Sequence, residues 1–194
     1  MSSEAPGPAV AAQVLEFWFG SPRGPSRPEW FSKDAAFDAR IRERFGMLHA
    51  QASAGGLAHW EEAPESALAL VVVLDQFSRN LHRNDARAFA QDARALRVAE
   101  ALVEREWDRG LLPVQRQFVY LPFEHAESLA AQDRAMALFA PLEDHPETRG
   151  LLEWAEKHRA IIRRFGRFPH RNAALGRPST AEEIAFLREP GSGF

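Results

Sequence analysis

The sequence of 194 residues contains no cysteine. This absence excludes disulfide bonds, thiol nucleophiles and iron–sulfur clusters, and it leaves His, Asp and Glu as side-chain metal ligands. The longest apolar run, residues 67–74, is far shorter than the roughly 20 residues of a membrane-spanning helix. Residues 1–8 contain Glu4 but no basic residue, unlike a secretory signal. We therefore predict a cytoplasmic protein with a flexible N-terminus over residues 1–8.

Lysine is scarce, since Lys33 and Lys157 are the only lysines among 24 basic residues. An arginine bias of this kind reflects genomic base composition and does not by itself indicate nucleic-acid binding. Residues 159–181 contain six arginines and no acidic residue, although the whole chain has a net charge of −3. A short basic segment on an acidic body favours a local anion site over a broad polyanion-binding face. We predict neither a nucleic-acid partner nor a membrane partner.

Helical periodicity dominates the sequence, and no sustained strand-type alternation is present. The sequence therefore predicts an all-α fold with a single helical domain over residues 9–194. The helix over residues 67–74 is apolar on all sides, so it must lie at the centre. Pro122 predicts a kink or break in its helix, and two pairs stand at capping-box spacing, Asp144 with Glu147 and Thr180 with Glu183. Helices are predicted near residues 9–19, 32–50, from 64, 86–107, 113–139, up to 165 and 180–188.

The segment LDQFSRNLHR, residues 74–83, places polar side chains at the end of this central helix. Asp75 and Arg79 are four residues apart on one helix face, as are Gln76 and Asn80. Buried charges need partners, so this segment predicts either a polar latch between helices or one wall of a ligand pocket. Asp75, Arg79 and Asn80 are candidate ligand-binding residues.

The segment YLPFEHAE, residues 120–127, combines Tyr120, Glu124 and His125 around Pro122. These side chain types suit general acid–base chemistry, so Glu124 and His125 are candidate catalytic residues and Tyr120 a candidate ligand-binding residue. Successive helix positions point about 100° apart, however, so Glu124 and His125 need not touch. The alternative is that His125 is a hydrogen-bonded core histidine.

Metal binding is disfavoured. His158 lies on an apolar stripe without a carboxylate, and the sequence contains no pair of His and Glu at metal-ligand spacing. The chain also lacks a G-x-S-x-G elbow, a phosphate-binding loop and a dinucleotide fingerprint. We predict no metal and no other cofactor.

The segment RFGRFPHRN, residues 164–172, crowds cationic and polar groups into an irregular loop after a helix end. Arginine forks recognise carboxylate or phosphate in bidentate fashion, so the loop predicts binding of a small anion. The alternative is helix C-capping combined with ion pairs to acidic neighbours. The candidate ligand-binding residues here are Arg164, Arg167, His170, Arg171 and Asn172.

These three segments, together with EFWFG at residues 16–20 and PGSGF at residues 190–194, resemble the mainly bacterial domain-of-unknown-function family numbered 924. The resemblance covers residues 9–194. It implies a TPR-like fold of antiparallel helix pairs around the buried central helix, and it implies no activity and no catalytic residue. TPR-like helix pairs often bind peptides or proteins on a concave face.

Two functions therefore remain open. The first is a polar pocket for a small carboxylate or phosphate, which would make the protein an acid–base enzyme if a proton is transferred there. The second is a protein- or peptide-interaction module. If the three segments share one pocket, then Arg79, Glu124 or His125, and Arg167 or His170 should lie within about 10 to 12 Å of one another.

Overall fold

The computed structural model describes residues 6–20 and 27–193, and within them the chain is all-α without a strand, as predicted. Short 3₁₀ turns connect many of the helices. The expectation of a flexible N-terminus falls largely on residues 1–5, which lie outside the described residues. The helices are α1 (Pro8–Phe19), α2 (Ala35–Ser53), α3 (Pro64–Val71, continued by Val72–Phe77 and Ser78–Leu81), α4 (Asp92–Glu104), α5 (Pro113–His125), α6 (Leu129–Phe139), α7 (Leu151–Phe165) and α8 (Ala181–Phe186).

Helix α3 is the centre of the core, since every residue from 67 to 74 is buried. Pro64 occupies its first turn, where a missing backbone N–H costs no hydrogen bond. The helix packs against α1, α2, α4 and α5. Its middle part, Val72–Phe77, is a π-helix of six residues. Segments of this type are rare and often occur at functional sites.

An aromatic cluster fastens α1 and α2 to the central helix. The Trp18 ring lies 5.7 Å from the rings of Phe37 and Phe77 and 5.5 Å from the ring of Phe118. The Trp30 indole N–H donates to the Trp18 carbonyl at 3.0 Å. These contacts join α1, α2, α3 and α5 in one hydrophobic core.

Helix α5 does not break at Pro122 but continues to His125, and the break follows at residues 126–128. Pro122 is fully enclosed by buried neighbours in this helix, and their packing outweighs the loss of one backbone hydrogen bond. The next helix, α6, begins with Ser128 as its cap. The position of the break is thus a correction to the sequence prediction.

The capping box predicted for Asp144 and Glu147 is wrong, because helix α7 begins only at Leu151. The carboxylate of Glu143 instead accepts hydrogen bonds from the backbone N–H groups of Gly150 and Leu152, at 2.9 and 3.1 Å. This carboxylate also lies at the positive end of the helix dipole, which stabilises it. The other capping box, Thr180 with Glu183 at the start of α8, is confirmed.

Within residues 6–20 and 27–193, no helix combines the length and the apolar character that crossing a bilayer requires.

Candidate functional site

A buried polar network surrounds Asp75, which the π-helical part of α3 places inside the core. Its Oδ1 lies 2.8 Å from Nδ1 of His125 and 2.9 Å from Nη1 of Arg79. Its Oδ2 accepts a hydrogen bond from the Gln76 amide at 2.6 Å. Burial raises the pKa of Asp75, but Arg79 and His125 outweigh this effect and hold the pKa well below its usual range. Asp75 is therefore a buried carboxylate anion.

His125 meets Asp75 through Nδ1, and the described residues provide no hydrogen-bond partner for its Nε2. Burial, aided by the charge of Arg79, lowers the pKa of His125. The imidazole is therefore neutral near pH 7, with the Nδ1 proton donated to Asp75. A carboxylate that fixes this tautomer leaves a lone pair on Nε2, which is the arrangement a general base needs.

Asp92, at the start of α4, joins the two guanidinium groups of the network. Arg79 donates to both carboxylate oxygens of Asp92, at 3.0 and 3.1 Å. Arg171 donates to the same carboxylate at 3.2 Å. The charges of Asp75 and Asp92 therefore balance those of Arg79 and Arg171, which allows all four groups to lie partly or wholly inside the fold.

The guanidinium of Arg171 lies between two aromatic rings, 4.7 Å from the centre of Phe89 and 4.4 Å from that of Phe168. The residue is only 6% exposed, and its buried Nε has no hydrogen-bond partner among the described residues. Burial, together with the charge of Arg79, lowers the pKa of Arg171 to about 10, so the side chain stays protonated at neutral pH. This buried cation retains donors that the described part of the chain does not use.

A second buried pair lies beside this network. Glu124 approaches Nδ1 of His158 at 3.0 Å, and the ring of His158 lies 6.4 Å from that of His125. The Phe168 ring contacts both His158 and His170, with centres 5.6 Å apart in each case. The pKa of His170 is lowered to about 3, mainly by burial and secondly by the charge of Arg171. The carboxylate partner of His125 is thus Asp75, whereas Glu124 pairs with a different histidine.

Three predicted arginine-loop residues lie in ion pairs and hydrogen bonds to α8. Arg164 binds Glu182 at 2.9 Å, and Arg167 binds the buried carboxylate of Glu183 at 2.6 and 2.8 Å. The Asn172 amide also reaches Glu183, at 3.3 Å. The structure therefore brings His170 and Arg171 to the network, while the other loop residues fasten the last helix.

Two further candidates lie apart from the network. Asn80 donates to Asp38 at 2.7 Å, on the side of α2. Tyr120 donates to Asp108 at 2.6 Å, and the residue is part of the lining of a cavity of 460 Å³. A second cavity of 290 Å³ lies near Trp107, and neither cavity is lined by the Asp75 network. The side chains of the three sequence segments therefore lie at more than one site in the fold.

No set of three or more acidic or histidine side chains in the described ranges is arranged to hold a metal ion. Sequence reasoning missed Asp92, which no motif marks, although it is the shared acceptor of Arg79 and Arg171. It also missed Phe89, whose ring flanks Arg171. An isolated acidic residue in a first helical turn is a common feature, so it carries no specific signal.

The fold and the network together define an all-helical protein with a buried Asp–His–Arg cluster beside a π-helix. Residues 14–191 match the family described as "Bacterial protein of unknown function (DUF924)", and the chain belongs to this family. It is similar to the structure of protein of unknown function ATU0120 from Agrobacterium tumefaciens, with 44% identity and a TM-score of 0.82. That similarity covers 93% of this chain and 97% of the other chain. Among curated proteins, none matches the chain.

Proposed function

We propose that the protein is an acid–base enzyme that acts on a small anionic molecule, such as a carboxylate or phosphate ester. The observation that carries this proposal is the contact of 2.8 Å between Asp75 Oδ1 and His125 Nδ1. It orients a neutral imidazole whose Nε2 remains available, and this nitrogen is the base. When Nε2 takes up a proton, the Asp75 carboxylate at Nδ1 stabilises the positive charge of the resulting imidazolium.

Arg171 binds the anionic group of the substrate in this proposal. Its Nε is buried without a partner, and an ionised donor in that state gains much from a charged acceptor. Arg79 connects this cation to the base, since it contacts Asp75 and Asp92 at the same time. A molecule bound at Arg171 therefore acts on His125 through the contacts of Arg79.

A substrate can approach the network from solvent. The side chains of His125, Arg79 and Asp92 are 14%, 21% and 17% exposed, although Asp75 is fully enclosed. A small molecule at this face meets the exposed parts of His125, Arg79 and Asp92, and it reaches the buried Nε of Arg171 when the contacts of Asp92 rearrange. The charge balance of the network favours a ligand of low charge, because a highly charged anion would need further cations.

The test is a thermal-shift panel with pyruvate, succinate, glycerol 3-phosphate and inorganic phosphate, and uncharged glycerol as the blank. A ligand at 100 times its dissociation constant stabilises the fold by about 2.7 kcal/mol. For a chain of this size that raises the melting temperature by about 5 to 11 °C. Arg171→Lys keeps the charge but removes the fork, so we expect the anion response to be lost. Arg164→Gln, at an exposed ion pair outside the network, is the matched control.

Proton transfer is tested separately with His125→Asn, which keeps a donor near the Nδ1 position and removes Nε2. Each anion that binds is incubated with protein in deuterated water and followed by NMR for deuterium uptake or conversion. We expect turnover with the wild type, no turnover with His125→Asn, and anion binding with both proteins. If no anion binds and a specific protein partner is captured instead, the protein is an interaction module.

A further inference from the structure

The cavity of 460 Å³ lies between the end of α4, the turn Trp107–Gly110, and helices α5 and α6. Its volume falls within the range of small-molecule binding sites, which is roughly 300 to 1,000 Å³. We refer to it as the Tyr120 cavity, since Tyr120 is one of the residues that line it. None of the residues of the Asp75 network lines it. It is therefore a candidate for a second binding site.

Tyr120 fixes the position of Arg116, one of the cations that line this cavity. Its hydroxyl donates to Asp108 at 2.6 Å and accepts a hydrogen bond from Nε of Arg116 at 3.0 Å. Burial and Asp108 raise the pKa of Tyr120 to about 12, so this hydroxyl remains a donor at neutral pH. The bond to Nε fixes the guanidinium but leaves its two terminal nitrogens without a partner among the described residues. Arg116 thus presents an oriented fork to the cavity.

Two further charged groups at the cavity lack ion-pair partners within the described structure, the cation Arg134 on α6 and the anion Glu104 at the end of α4. The remaining charges are already engaged, because Arg109 binds Glu106 at 2.9 Å and Asp108 accepts from Tyr120. The cavity therefore offers two unpaired cations and one unpaired carboxylate. Most of the lining is polar, and Val103, Ala137, Leu138 and Pro141 form its smaller apolar part.

We propose that the Tyr120 cavity binds a small zwitterion, such as a short peptide. The carboxylate of the ligand meets Arg116 and Arg134, and its ammonium group meets Glu104. The volume exceeds what an inorganic ion fills, and a simple anion would leave Glu104 unmatched.

The probe is the dipeptide leucyl-leucine, compared with its N-acetyl and C-terminal amide derivatives by isothermal titration calorimetry. We expect leucyl-leucine to bind, and each derivative to bind at least about tenfold more weakly because it lacks one charge, which corresponds to about 1.4 kcal/mol. Equal binding of the three compounds, or no binding at dipeptide concentrations up to about 10 mM, would overturn the proposal.

Two exposed residues allow substitutions that leave the fold intact, Arg134→Gln and Glu104→Gln. Arg134→Gln should weaken leucyl-leucine but not its amide derivative, which has no carboxylate to lose contact with. Glu104→Gln should weaken leucyl-leucine but not its N-acetyl derivative. The matched controls are Arg97→Gln and Glu100→Gln, which lie on α4 outside the cavity. A loss of affinity in either control equal to that of its counterpart would contradict the assignment.

The outcome is independent of the function proposed for the Asp75 network. His125→Asn should leave leucyl-leucine binding unchanged while it abolishes proton transfer. If His125→Asn weakens the dipeptide as strongly as Arg134→Gln does, the dipeptide occupies the network and the assignment to the Tyr120 cavity is wrong.

Discussion

Asp75→Asn tests whether the Asp75 carboxylate is charged inside the fold, because it removes the charge and keeps the size of the side chain. Removing one partner of a buried ion pair costs about 3 to 5 kcal/mol, because the other charge is left uncompensated. Arg79 keeps its contacts to Asp92 and is 21% exposed, so we expect a smaller loss of unfolding free energy, about 2 to 3 kcal/mol. For a chain of this length the melting temperature should fall by about 4 to 12 °C.

The pH dependence of the same variant supplies a second readout. The pKa of Asp75 is held well below its unfolded value, so its charge stabilises the folded protein at neutral pH. This contribution is fully present above the unfolded pKa of about 3.9 and is lost as the pH falls below it. Asp75→Asn lacks the titrating group. The difference between wild type and variant should therefore narrow by about 1 kcal/mol between pH 5 and pH 3.

Urea denaturation at pH 7, 5 and 3 measures both effects. The control is Glu153→Gln, which alters an exposed ion pair with Lys157 and should leave the midpoint unchanged within error. A loss below about 0.5 kcal/mol at pH 7 would refute the charged network, since that is the range of ordinary surface substitutions. A difference that stays constant down to pH 3 would show that the pKa of Asp75 is the same in the folded and the unfolded chain, which contradicts the charged network.

Three further predictions concern the core, one histidine and the last helix. Leu70→Ala, at a fully buried position of α3, should lower the unfolding free energy by about 2 to 5 kcal/mol in a urea titration. Burial lowers the pKa of His49 to about 4, so stability should fall as the pH drops from about 6.5 to 4, and His49→Gln should flatten that slope. Arg167→Ala should lower the melting temperature measured by calorimetry, because Glu183 loses a bidentate partner.

Local patterns were sufficient to predict the elements that depend on neighbouring residues alone. The apolar run at residues 67–74 identifies the central helix, and Thr180 with Glu183 identifies the start of α8. The π-helical segment Val72–Phe77 could not be predicted in the same way, since an i to i+5 hydrogen bond needs no particular residue type. The predicted start of α7 was wrong, because the residue that caps this helix is Glu143, which lies seven residues before Gly150.

Contacts between helices were less accessible to sequence reasoning. Asp75 and Arg79 form the predicted pair four residues apart, and that geometry follows from the helix alone. The partner of His125 lies 50 residues away on another helix, whereas Glu124, next to it in sequence, points elsewhere. A partner of this kind is set by the packing of α3 against α5, which periodicity does not specify.

Among the three arginines predicted to bind an anion in the loop at residues 164–172, only Arg171 belongs to the buried network. The acid-free stretch at residues 159–181 suggested a concentrated positive charge, yet its counterions come from just beyond it and from other helices. Glu182 and Glu183 neutralise Arg164 and Arg167, and Glu127 on the α5–α6 connection binds Arg177 at 2.6 Å. Arg171 differs from these arginines because it is buried between two rings. The one carboxylate that it contacts among the described residues, Asp92, is shared with Arg79. An anion that enters the network therefore competes with Asp92 for the same donors, so its binding must reorganise the contacts that also position His125.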